Sequence, residues 1–230
     1  MSEKKGAVVT IDGPSGSGKS TISRMLAARL HYTYLDTGAM YRAVGLKVRQ
    51  AGIDLDNPAD RPRLVKLLAE LDLQLALAAR AGEETRVFLD GEEISAAIRT
   101  AEMGLVASRV SAEPVVRQKL TEMQRQFGLQ GGVVAEGRDT GTVVFPQAAY
   151  KFYLDASPEE RARRRWEQLR EKGQEMDRQE ILAQIEKRDR DDSSRALAPL
   201  SAAPDAIIID SSVLSVEAVV EVMLARMAPA

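Results

Sequence analysis

Gly13, Gly18, Lys19 and Ser20 stand in the spacing G-x-x-x-x-G-K-[ST], inside the run Asp12-Gly13-Pro14-Ser15-Gly16-Ser17-Gly18-Lys19-Ser20-Thr21. Those residue types in that order suit a polyphosphate. Glycines let the backbone turn tightly and bring its N–H groups against phosphate oxygens. The helix opening at Gly18 adds its positive end to the same spot. The lysine reaches the β- and γ-phosphates, and the hydroxyl of Ser20 can sit on Mg²⁺. The motif implies binding of a nucleoside triphosphate and leaves open what becomes of the γ-phosphate.

A second set of residues has the charge to hold another anion. Asp36, Thr37, Tyr41 and Arg42 are concentrated just after the short apolar run 32–35, and Arg138 and Asp139 follow the run 133–136. Arg161, Arg163, Arg164 and Arg165 share one stretch, and Arg188 and Arg195 fall in another. A single arginine is commonly a solvated surface charge. Several clusters at strand ends favour two anionic ligands meeting. The one histidine, His31, follows a helical run and reads as a C-terminal cap. The absence of cysteine excludes a disulfide or thiolate, and a lone histidine argues against a transition-metal site.

The elements that must position these groups follow from periodicity. A strand at 7–11 leads through the phosphate loop into a helix with Ile22, Met25, Leu26 and Leu30 on one face. A strand at 32–35 feeds a helix for which Thr37 serves as N-cap. A helix is expected at about 57–71, on Leu64, Leu67, Leu68 and Leu71. The runs 73–77 and 86–90 read as strands, with Asp90-Gly91 turning into Glu92-Glu93-Ile94. This antiparallel patch inside a β/α alternation marks an inserted subdomain. A helical stretch from about 100 to 127 breaks at Pro114. Strands follow at 133–136 and 149–154. Ser157-Pro158-Glu159-Glu160 is a capping box with proline at the first helical position. A helix at about 177–190, a strand at 206–210 and a helix after Ser215 close the chain, the last with Val216, Val219, Val220, Met223, Leu224 and Met227 on its core face. The fold class is α/β: a mostly parallel five-stranded sheet flanked by helices around one phosphate loop.

The chain has 230 residues, 44% apolar and 29% charged, the composition of an ordinary globular protein. A net charge of −2 argues against a general nucleic-acid binder. No apolar run approaches membrane-spanning length, and Met1-Ser-Glu-Lys-Lys5 lacks the apolar segment of a secretion signal. A cytoplasmic protein is expected, and a monomer, since no long apolar surface stripe calls for a partner.

Three functions compete. A GTPase needs an Asn-Lys-x-Asp guanine reader, but the only asparagine, Asn57, precedes Pro58. A mechanical or switch ATPase would carry an acidic pair at a strand end, whereas the runs ending in Asp90, Asp155 and Asp210 each offer one acid. A small-molecule kinase fits the arginines, because phosphoryl transfer rests on neutralising charge and excluding water. An acceptor that is itself a phosphate monoester is already ionised and needs no general base.

The chain also resembles the bacterial cytidylate kinases over nearly its whole length. The resemblance rests on Ile11-Asp-Gly-Pro-Ser-Gly-Ser-Gly-Lys19, Leu35-Asp-Thr-Gly-Ala-Met-Tyr-Arg42, Ile98-Arg-Thr100, Gly137-Arg-Asp-Thr-Gly-Thr-Val-Val-Phe-Pro146, Leu154-Asp-Ala-Ser-Pro-Glu-Glu-Arg-Ala-Arg-Arg165 and Arg195-Ala-Leu-Ala-Pro-Leu200. It implies transfer of the γ-phosphoryl group of ATP, with Mg²⁺, to CMP or dCMP. It implies that residues Gly13 through Thr21 hold the ATP phosphates, with Lys19 catalytic and Ser20 towards the metal. Asp36, Thr37 and Tyr41 would belong to the CMP side, and Arg42 and Arg138 would grip its phosphate. Ser108, Arg117 and Asp139 would read the cytosine, and Asp192 would hold the sugar with Arg188 beside it. Arg161, Arg164 and Arg165 would close over ATP as part of a lid, and Arg195 would reach the transferring phosphoryl group. The implied division is core at 1–37, 105–156 and 177–230, a monophosphate-binding insertion at 38–104 and a lid at 157–176.

Overall fold

In the computed structural model, which describes residues 6–76, 85–171 and 173–228, the apolar run after Gly6 becomes β1 (Val8–Asp12), buried from Val9 onward. The phosphate loop leads into α1 (Lys19–Leu30), which presses Ile22 and Leu26 onto the sheet. His31 ends that helix in the left-handed conformation (φ 54°), its N–H bonded to the carbonyls of Ala27 and Ala28. Then come β2 (Thr33–Asp36) and α2 (Thr37–Gln50). Much later the chain adds β6 (Val133–Gly137), β7 (Tyr150–Asp155) and β8 (Ile207–Asp210). These five strands pair in the order β2-β6-β1-β7-β8, and all four pairings are parallel. The sheet expected to be mostly parallel is therefore wholly so. Its registers bring Asp12, Asp36, Gly137 and Asp155 to one carboxyl edge, where open α/β sheets bind ligands.

Between α2 and β6 lie a short 3₁₀ turn at Pro58–Asp60, α3 (Arg61–Ala69), β3 (Leu73–Ala76), β4 (Arg86–Leu89), β5 (Glu92–Glu93), α4 (Ala101–Val110) and α5 (Pro114–Gly128). Strands β3, β4 and β5 form the separate antiparallel sheet, turned at Asp90-Gly91. Leu77, the expected end of β3, lies outside the described residues, as does the 1–5 segment. The helix expected over 57–71 is split. Asn57 caps the 3₁₀ turn by accepting from Ala59 N–H, and Pro62 sits in the first turn of α3, which stops at Ala69. The insertion packs Leu64, Leu68, Val87 and Leu89 onto the core that Ala43, Val44 and Val48 of α2 complete.

α6 (Pro158–Glu171) and α7 (Arg178–Ser193) form a helical pair with a small core of its own, Ala162 and Leu169 against Ile181 and Ile185. Ser157 caps α6 by accepting from Glu160 N–H at 3.2 Å, but the reciprocal half of the expected capping box is not made: Ser157 N–H donates to Ser212 Oγ, and the Glu160 carboxylate accepts from Arg163 and Arg164. α8 (Val216–Met227) closes the other face with Val219, Val220 and Met223.

Candidate active site

The phosphate loop is shaped by what surrounds it. Gly13 has φ +148°, and a Cβ there would lie 2.0 Å from the carbonyl oxygen of Leu154, so only glycine fits. Ser17 donates to the Pro14 carbonyl at 3.1 Å, and Ser211, just beyond β8, donates to the Ser17 carbonyl at 3.0 Å. Lys19 donates to the Pro14 carbonyl at 2.5 Å and to Ser17 Oγ at 3.3 Å. Burial, then the positive charge of Arg138, pushes the Lys19 ammonium well below the usual lysine range. An anionic ligand would favour the charged form and so offset both causes.

Ser20, at the start of α1, donates to Glu136 Oε1 at 2.7 Å. Glu136 is only 6% exposed, and its Oε2 is buried with no partner. Burial raises its pKa, the Asp36 carboxylate adds to the rise, and Lys19 opposes it. The Glu136 side chain had no part in the expected site, where single acids at strand ends carried no signal. The pairing of β6 with β1 is what sets it beside the phosphate loop.

On the acceptor side, one expectation needs correction. Asp36, not Thr37, caps α2: its Oδ1 accepts from Ala39 N–H at 2.8 Å, while Oδ2 accepts from Arg42 at 3.0 Å. Thr37 is the first helical residue and donates to the Glu136 carbonyl at 2.7 Å. The Asp side chain wins the cap because the Thr hydroxyl is taken by β6. Arg117 is buried, donates to the Ser111 carbonyl at 3.1 Å and pairs with Asp139; its guanidinium lies 5.7 Å from the centre of the Tyr41 ring. Burial pushes the Tyr41 hydroxyl up to about 12. Ser108, on α4, is half-buried, and its carbonyl accepts from Ser111 Oγ.

Asp192 joins the remaining arginines. It accepts from Arg138 at 2.9 Å and from Arg195, and Arg195 also donates to Ser111 Oγ at 3.1 Å. Burial would raise the Asp192 pKa, but Arg138 and Arg195 outweigh it and hold the carboxyl below the usual range. Arg188 donates to Ser15 Oγ at 3.2 Å. Burial and then Arg138 lower it to about 10. The Nε atoms of Arg42 and Arg188 are buried without partners. Guanidinium groups clustered with donors to spare have the chemistry to hold an anion.

The three arginines expected in a lid differ. Arg161 is 3% exposed and donates to the carbonyls of Ala156 and Ser15, and to both oxygens of Asp189 at 3.0 and 2.6 Å. It braces α6 and α7 against the phosphate loop. Arg164 bonds Glu160 and the Ser211 carbonyl at the edge of a cavity of about 380 Å³, which Gly18, Ile22, Val213 and Leu214 also line. Arg165 is half-buried and makes no hydrogen bond or ion pair among the described residues.

A parallel sheet with a phosphate loop on its central strand, a buried lysine in the loop and an arginine cluster opposite define a P-loop kinase. The family model for cytidylate kinase matches residues 9–228. A cytidylate kinase of Citrifermentans bemidjiense is 50% identical over 96% of this chain and 92% of its own length. One of Pseudomonas aeruginosa is 48% identical over 94% and 93%. A solved, uncharacterised protein of Eubacterium ventriosum is similar in fold alone, with a TM-score of 0.50 and 11% identity over 96% of this chain and 98% of its own. The chain belongs to the cytidylate kinase family.

Proposed function

We infer that this chain phosphorylates CMP and dCMP, transferring the γ-phosphoryl group of ATP to the acceptor phosphate to give CDP or dCDP. The observation that carries the acceptor reading is the buried Arg117–Asp139 pair beneath Tyr41, one residue from Arg138. Cytosine offers an amino donor beside ring-nitrogen and carbonyl acceptors, so a carboxylate next to a guanidinium and the Ser108 hydroxyl complements it and rejects uracil.

The roles then follow from placement. Backbone N–H groups from Gly13 to Thr21 hold the donor phosphates, and Lys19 exchanges the Pro14 carbonyl for phosphate oxygens. The adenosine lies in the cavity between Gly18, Arg164 and the 211–215 segment. Arg42 and Arg138 grip the acceptor phosphate, Asp192 holds the sugar, and Arg188 and Arg195 neutralise the group in flight. Arg138, Arg188 and Arg195 around one buried carboxylate cost no reorganisation when charge develops. The acceptor phosphate attacks as an anion, so no residue need take a proton.

Mg²⁺ fits the residues present. The Ser20 hydroxyl and the unpartnered Glu136 Oε2 are oxygen donors of the kind it prefers. Bound there, it would neutralise the β- and γ-phosphates. The insertion 38–104 contributes Tyr41 and Arg42 to the acceptor site, and the segment 157–176 acts as a lid that excludes water. A cytoplasmic monomer completes the reading.

Asp139→Ala tests it. CMP should lose about 100-fold in kcat/KM with the KM for ATP nearly unchanged. Equal losses for both ligands would remove Asp139 as the base reader.

A further inference from the structure

Asp12 is the last residue of β1, immediately before Gly13, and its side chain reaches the segment that follows β6. There Thr140–Val144 forms one wide helical turn, in which Phe145 N–H bonds the Thr140 carbonyl at 2.7 Å. The first N–H groups of such a turn have no partner within it. Asp12 supplies one. Its Oδ1 accepts from Thr140 N–H at 2.9 Å and from the Thr140 hydroxyl at 2.8 Å, and its Oδ2 accepts from Gly141 N–H at 2.7 Å. The carboxylate is 4% exposed, and no ion pair among the described residues involves it. A buried carboxylate held by three hydrogen bonds, with the Lys19 ammonium near enough to interact with it, is costly to maintain, so its place in the fold asks for a reason.

The reason lies in what the turn carries. Arg138 and Asp139 are the two residues directly before Thr140. Close packing fixes the same point from the other side: a Cβ on Gly137 would meet Thr140 Cγ2 at 2.6 Å and Thr37 Oγ1 at 2.8 Å. We propose that Asp12 is a positioning residue that ties the strand launching the donor-phosphate loop to the turn presenting Arg138 and Asp139, and so sets the distance between donor and acceptor grips. This rests on the reading that Arg138 and Asp139 hold the acceptor. Asparagine is nearly the same size but would place an amide donor against either Gly141 N–H or the two Thr140 donors, so it breaks the tie without opening a cavity.

The test uses the full chain and compares Asp12→Asn, Thr140→Val, Thr140→Ser and Asp139→Ala. For each, calorimetry gives the Kd of CMP and of ATP separately, steady-state kinetics give kcat, and circular dichroism gives folding. Asp12→Asn should weaken CMP about tenfold and lower kcat while ATP affinity changes less than about twofold, the loss expected for hydrogen bonds to a charged group. Thr140→Val, which keeps the backbone bonds, should weaken CMP by about threefold, and Thr140→Ser should restore it. If Asp12→Asn does not fold, the Thr140 pair decides. Equal weakening of both ligands, or unchanged CMP affinity in folded Asp12→Asn, would overturn the proposal. If Asp139→Ala itself leaves CMP binding intact, the acceptor reading fails first, and the proposal fails with it.

Discussion

The Ser20 hydroxyl and Glu136 Oε1 meet at 2.7 Å across 116 positions of sequence. That bond joins the first turn of α1 to the end of β6 and leaves Oε2 of the same carboxylate buried and unpartnered. Ser20 is thereby oriented towards the end of β6.

Glu136→Gln keeps an acceptor for Ser20 but removes the charge. Turnover should fall about 10- to 100-fold, and the Mg²⁺ concentration for half-maximal rate should rise, with the Kd of CMP unchanged. Titrating Mg²⁺ at saturating nucleotides checks this. An unaltered Mg²⁺ dependence would separate Glu136 from the metal.

The Arg117–Asp139 pair is buried on both sides, each side chain 8% exposed. Arg117→Met strands the carboxylate and should cost about 3–5 kcal/mol in urea unfolding. Adding Asp139→Leu should recover much of that stability without restoring CMP turnover. Recovery of turnover would show that the pair is structural only.

Arg161 and Arg165 lie on one helix and should respond differently. Arg161→Gln breaks contacts to Ser15 and Asp189, so the melting temperature should drop and the KM for ATP rise. Arg165→Gln should leave stability within about 0.5 kcal/mol and slow turnover, as expected of a side chain that acts only when the lid closes. Thermal melts beside kinetics at varied ATP distinguish the two.

Asp12 sets a pH signature. Burial raises its pKa from 3.8 to about 6, against the hydrogen bonds from Gly141 and Thr140, with Asp139 adding to the rise. The folded state therefore holds a proton that the unfolded state has released between pH 3.8 and 6. Stability from this group is full below that window and is lost as pH rises through it, by roughly 3 kcal/mol. Glu136, also raised by burial, acts with the same sign. Melting temperatures from pH 4 to 7 should show a shallower decline in Asp12→Asn than in the parent. Identical slopes would place the titration elsewhere.

Local chemistry was legible from residue order. The phosphate loop, the Ser157 cap and the Asp90-Gly91 turn each depend on neighbours within a few positions, and all three stand as expected. Contacts set by strand order were not. Glu136 and Asp12 join the site only because β6 pairs with β1, and neither spacing nor residue type announces that pairing. Arg161 shares a charged run with Arg164 and Arg165, yet helical geometry turns it inward to Asp189. Thr37 and Asp36 are both good caps, and the choice between them was made by the distant Glu136 carbonyl.

The central claim is the acceptor, and ADP formation tests it most directly. With Mg-ATP and CMP, dCMP, UMP, AMP, GMP, shikimate or no acceptor, turnover should be confined to CMP and dCMP, with UMP far behind. Comparable ADP formation without any acceptor would contradict the account and leave a nucleotide hydrolase on a kinase fold.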